Sequence, residues 1–129
     1  MSHRANYARC QFQQHLGPDP SSLEVPWADF AGDRTDRVAF EVPADDPSEP
    51  YVELQVYDVG EFTHEITLNG TALSGFDIPP GEGWQYWMDT VGDGHLTGGE
   101  NTLRIGRDTD TDDAFVVGTA IVHWKAPVE

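Results

Sequence analysis

Trp27, Trp87, Asp89 and His95 are the side chains with the chemistry to hold a saccharide. An indole ring stacks on the C–H face of a sugar, while a carboxylate and an imidazole hydrogen-bond its hydroxyls. The aromatic residues fall in one dense segment, Trp84-Gln85-Tyr86-Trp87, with Trp27 and Phe30 upstream. In an extended chain neighbouring residues face opposite ways, so Trp84 and Tyr86 fall together and Trp87 opposes them. They cannot all line one platform, and at least two belong to the core. Trp87 or Trp27 is the ring expected to be exposed.

Asp108, Asp110 and Asp112 alternate within Asp108-Thr109-Asp110-Thr111-Asp112-Asp113 and offer oxygen ligands as a calcium loop does. The run has Asp113 where such a loop places its glycine and Thr119 where it places its bidentate glutamate, so a solvated acidic turn competes with the metal reading. Asp89, Asp93 and Glu100 form a second, weaker acidic group, and His95 lies close to it in sequence. His3, His15, His64, His95 and His123 are dispersed without the H-x-H or H-E-x-x-H spacing of a zinc site. The single cysteine, Cys10, excludes an intramolecular disulfide and sits in an alternating segment, as a packed core thiol would. A pair of carboxylates for glycoside hydrolysis could be drawn almost anywhere among 23 acids, so no pair is informative. Neither a G-x-S-x-G elbow nor a phosphate or dinucleotide loop is present. The expectation is a protein that is not an enzyme. Asn69-Gly70-Thr71 matches a glycosylation sequon and reads as chance within a tight turn.

These residues must be positioned by a chain of 129 residues, enough for one domain with a real core. Its 23 acidic residues against 7 basic ones give a formal net charge of −16. So few scattered cations exclude a nucleic-acid surface, and an anionic membrane would repel the chain for the same reason. Carboxylates run along the whole sequence and only Lys125 is a lysine. Such like charge opposes compaction in dilute buffer, and molar salt screens it at about 3 Å. The composition resembles that of salt-loving archaeal proteins. Met1 to Phe12 holds no apolar stretch of signal-peptide length, which predicts a cytoplasmic protein.

Period-two alternation dominates the chain. Tyr51 to Tyr57 places Val52, Leu54 and Val56 on one face and Glu53, Gln55 and Tyr57 on the other. Arg37 to Val42 alternates likewise. Thr63 to Leu68 should pair with Thr71 to Leu73 through Asn69-Gly70, a dipeptide suited to a turn that needs positive φ twice. Tyr7 to Leu16, Phe76 to Ile78, Trp84 to Met88, Asn101 to Ile105 and Ala114 to Trp124 complete about eight strands. Gly118 marks a bulge at which the inward face of the last one switches.

Leu68-Asn69-Gly70, an aromatic strand, and then Gly94-His95-Leu96-Thr97-Gly98-Gly99-Glu100-Asn101-Thr102-Leu103-Arg104-Ile105 resemble the galactose-binding-like β-sandwich family. The resemblance covers roughly residues 62 to 124 and implies an all-β, antiparallel jelly-roll β-sandwich. Domains of that family often carry a structural calcium, which Asp108, Asp110 and Asp112 could hold. The implied function is a non-catalytic binding module, with a saccharide as the first candidate ligand. A structural or assembly protein is the alternative, forming homo-oligomers or docking a protein partner through a strand edge.

Overall fold

The structure, a computed structural model, describes residues 2–73, 78–92 and 94–128. Asp93 and most of the expected Phe76 to Ile78 strand lie outside the described residues. Among those described there is no helix, and none is long and apolar enough to cross a membrane. The strands are β1 (Ser2–Leu16), β2 (Asp29–Gly32), β3 (Val38–Val42), β4 (Ser48–Tyr57), β5 (Glu65–Leu68), β6 (Thr71–Ala72), β7 (Trp84–Thr90), β8 (Gly99–Gly106) and β9 (Phe115–Val128). They form a sandwich of a five-stranded sheet, β2-β1-β9-β4-β7, and a four-stranded sheet, β3-β8-β5-β6. From β3 onward the chain alternates between the two sheets, apart from the β5–β6 hairpin.

The alternation read in β4 is the alternation observed. Val52, Leu54 and Val56 are buried between the sheets and meet Ile66, Leu68, Leu103 and Ile105 in one continuous core. Each such side chain contributes about 1.5–3 kcal/mol on burial, so this apolar face fixes the register: a slip by one residue would expose it. Cys10 is fully buried in the same core. In β9 the core residues are Phe115 and Val117 before Gly118, then Ala120, Val122 and Trp124 after it. The face switches at Gly118, where the β4–β9 register also shifts.

Asn69 and Gly70 both have positive φ, 53° and 80°, and close the β5–β6 turn. Asn69 also reaches across the sandwich corner. Its Nδ2 donates to the His95 carbonyl at 2.9 Å and to Asn101 Oδ1 at 2.7 Å, and its Oδ1 accepts from Thr102 N at 2.8 Å. Asn101, fully buried, accepts from Thr97 N and donates to the carbonyls of Thr97 and Gly99. The two asparagines therefore tie hairpin to corner. A side chain at Gly98 would collide with the Ala44 carbonyl oxygen.

One strand was not anticipated. β2 runs parallel to β1, with Gln14 opposite Asp29 and His15 opposite Phe30, making an exception to the antiparallel pattern. The residues between them, 17–28, form a loop in which His15 Nε2 and Ser22 Oγ lie 3.0 Å apart and Val25 is buried.

Candidate functional site

The outer face of the five-stranded sheet is built by β7 pairing with β4. Leu54 lies opposite Trp87, and because Leu54 is buried, Trp87 is turned inward with it. This corrects the expectation of an exposed Trp87 ring: it is half-buried and packs against the core. The other set, Trp84, Tyr86 and Met88, stands opposite Tyr57, Gln55 and Glu53 and faces solvent at 50%, 54% and 62% exposure.

Trp27 joins this set from the 17–28 loop. Its ring centroid lies 5.3 Å from Tyr57, edge-on at 88°, and 5.6 Å from Trp84, while Tyr57 and Trp84 are 5.4 Å apart. Three rings thus brace one another at the surface, within the range where aromatic pairs attract. Gly118 lies beneath Trp84. A Cβ there would stand 3.0 Å from Trp84 Cζ3, so the bulge glycine is what lets the indole lie against the sheet. Beside the rings is a groove of about 400 Å³ lined by Gln13, Gln55, Trp84, Gln85 and Tyr86. Gln13, at φ 51°, sits in the β1 bulge between Gln11 and Gln14.

A polar group continues the face toward β9. His123 stacks on Tyr51 with centroids 4.2 Å apart and planes at 5°, and its Nε2 lies 2.6 Å from Glu53 Oε1. Tyr86 donates its phenolic hydrogen to the same carboxylate, and that bond together with burial pushes its pKa up to about 12. Along the outward positions of β4 from Tyr51, of β7 and of β9 from Thr119, Glu53 is the sole carboxylate. For a chain of net charge −16 this face is conspicuously poor in acid.

The remaining expected ligand residues are not gathered here. Asp89 stands opposite buried Val52, five residues along β7 from Trp84, roughly 17 Å at strand rise; its Oδ1 accepts from Thr90 N at 2.7 Å. His95 lies in the corner loop, where its backbone is bound by Asn69. Trp27 alone of the four belongs to the ring cluster. Alternation had already placed Glu53, Gln55 and Tyr57 on one face; what it could not give was the strands they meet.

Asp108, Asp110 and Asp112 do not converge on a cation. Asp108 accepts from Thr63 and from Asp110 N, which lowers its pKa, and Asp112 is exposed. Among the described residues no group of three His, Cys, Asp or Glu side chains could hold a metal ion. These three carboxylates are therefore not gathered into one ligand set. The acidic segment is instead pinned to His64. Asp108 N donates to His64 Nδ1 at 2.9 Å, which leaves the ring proton on Nε2, 2.6 Å from Asp113 Oδ2. Asp113 also accepts from the backbone of Gly60 and Glu61.

With this geometry in hand, the model of a family of unknown function, DUF7383, matches residues 4–126. The chain belongs to that family. No curated protein matches it. Among solved structures, dimeric latent PorU from Porphyromonas gingivalis is similar at 9% identity and a TM-score of 0.61, over 98% of this chain and 13% of that one. The CBM36-1 domain of a multidomain xylanase from the hindgut metagenome of Trinervitermes trinervoides is similar at 13% identity and a TM-score of 0.55, over 97% of this chain and 100% of that one. A family 35 carbohydrate binding module from an environmental isolate follows at 12% identity and 0.52, covering 79% and 78%. At these identities the likeness is one of fold, and it agrees with the β-sandwich that the sequence implied.

Proposed function

We propose that this chain is a non-catalytic binding module that holds a saccharide on the outer face of its five-stranded sheet. The observation that carries the reading is the braced cluster of Trp27, Tyr57 and Trp84 beside a groove whose exposed amides are those of Gln13 and Gln55. Rings supply flat apolar surface for pyranose C–H groups, and amides donate to and accept from hydroxyls. Scarcity of carboxylates keeps that surface from being dominated by hydration. Two of the structures similar in fold are carbohydrate-binding modules by name, which supports the reading.

Affinity electrophoresis against a panel of neutral polysaccharides, followed by calorimetry on the best, tests it. The wild-type chain should be retarded by at least one, and Trp84→Ala should weaken binding tenfold or more, about 1.4 kcal/mol, with an unchanged fold. Absence of retardation by every polysaccharide would overturn the proposal. A second reading, assembly with a protein or a second copy, is favoured by the exposure of Tyr7 (63%) and Met88 (62%) on the same face. Sedimentation in molar KCl separates the two: a concentration-dependent dimer disrupted by Met88→Glu supports assembly, and a monomer opposes it.

A further inference from the structure

One end of the outer face of the four-stranded sheet gathers positive charge, whereas Glu41 and Glu100 stand opposite each other farther along the same face. Arg34, Arg37 and Arg104 line a pocket of about 250 Å³ together with Glu65, Thr67 and Thr102. Thus three of the chain's 7 cationic residues line this pocket with one carboxylate, while Asp33, Asp36 and Asp108 border the adjoining cavity that Arg34 and Arg104 also reach. The strands enforce the gathering. Leu103 and Ile105 are fully buried, so Thr102 and Arg104 point outward from β8, and Thr67 of β5 lies opposite Arg104. Arg34 is bridged to Gly106, and Arg37 immediately precedes Val38, which pairs with Leu103.

Like charges on neighbouring strands repel, and this chain is rich in residues that could have neutralised them. Elsewhere it does so: Arg107 pairs with Asp33 at 2.9 Å and Lys125 with Glu49 at 2.8 Å. Among the described residues neither Arg34 nor Arg37 forms an ion pair. Arg104 donates its Nε to the Thr35 carbonyl at 3.0 Å, which fixes the guanidinium and leaves its terminal nitrogens without a protein acceptor among those residues. Glu65 is engaged in turn by Thr67, whose hydroxyl donates to it at 3.1 Å.

We propose that this pocket binds an oxyanion, the carboxylate, sulfate or phosphate group of a small ligand. A guanidinium held by its Nε presents a planar fork that such a group meets with two parallel hydrogen bonds. The hydroxyl of Thr102 supplies a further donor. In molar salt charges more than about 3 Å apart are screened from one another, so binding must rest on these direct contacts. The site lies on the opposite sheet from the ring cluster and is independent of the saccharide reading.

The test is an amide and arginine-side-chain NMR titration with sulfate, phosphate and glucuronate in separate arms, with ionic strength held constant by KCl. Saturable shifts centred on Arg104, Thr102 and Thr67 are expected in at least one arm, and the arm that saturates names the group. Arg37→Gln, at an exposed position without an ion-pair partner, should keep the spectrum of the fold and weaken that binding at least tenfold. Shifts that stay linear in all three arms would overturn the proposal. So would saturation that Arg37→Gln leaves unchanged.

Discussion

A single carboxylate, Glu53, accepts from a phenol and lies 2.6 Å from an imidazole nitrogen on the outer sheet face. Because the neutral phenol is the form that donates to Glu53, Tyr86 should ionise near pH 12 rather than at the ordinary value of about 10. A raised folded pKa means that the bond's contribution to stability is complete below about pH 10 and disappears as pH climbs through about 12. Tyrosinate absorbance should reveal this late titration, and Glu53→Gln should return it toward the ordinary range. Cys10 provides a similar case in the interior. Burial pushes its thiol up to about 11, so in the folded protein it should resist a thiol-reactive reagent at mildly alkaline pH and label only on unfolding. Uniform labelling kinetics in folded and denatured protein would contradict that placement. Cys10's burial was legible in the alternation around it. The partnership of Glu53 with His123 was not, since residues 70 apart in a chain announce nothing about each other until the register of β4 on β9 is known.

Among the elements, the corner joining β5, β6 and β8 concentrates the most hydrogen bonds on the fewest side chains. Removing the fully buried Asn101 amide breaks its bonds to the Thr97 and Gly99 backbone and to the Asn69 side chain together. Asn101→Ala should destabilise by about 2 kcal/mol, since several hydrogen bonds go at once while their exposed partners regain water, as read from the midpoint of denaturant unfolding. Gly118→Val makes a different prediction. Its side chain would displace the Trp84 indole, so saccharide affinity should fall more than stability does. The hairpin at Asn69-Gly70 and the switch at Gly118 were legible because special backbone geometry demands special residues. β2 was not, because Asp29-Phe30-Ala31-Gly32 is half exposed and carries no apolar alternation. β7 misled for a more informative reason. Its more apolar face, Trp84, Tyr86 and Met88, is the one turned to water, because Gln85, Trp87 and Asp89 are opposite the inward residues of β4. Local pattern and global fold disagree there, and that is where a working surface is expected to override the folding rule.

For the whole molecule, charge and topology set the behaviour. A net charge of −16 on a chain this small should make the unfolding temperature climb as KCl is raised from dilute to molar concentrations; a flat response would show that carboxylate repulsion is already relieved within the fold. Folding should be slow for the size, since β1 must find β9 across almost the full sequence before the five-stranded sheet exists. That pairing begins with Ser2 opposite Val128, and its ladder runs from there to Leu16 opposite Phe115. The two ends of the described chain therefore leave side by side from one end of the same ladder. Tension applied between them would not shear the strands past one another. It would peel them apart one hydrogen bond at a time, as a zip opens, so the sheet should yield to a weak pull.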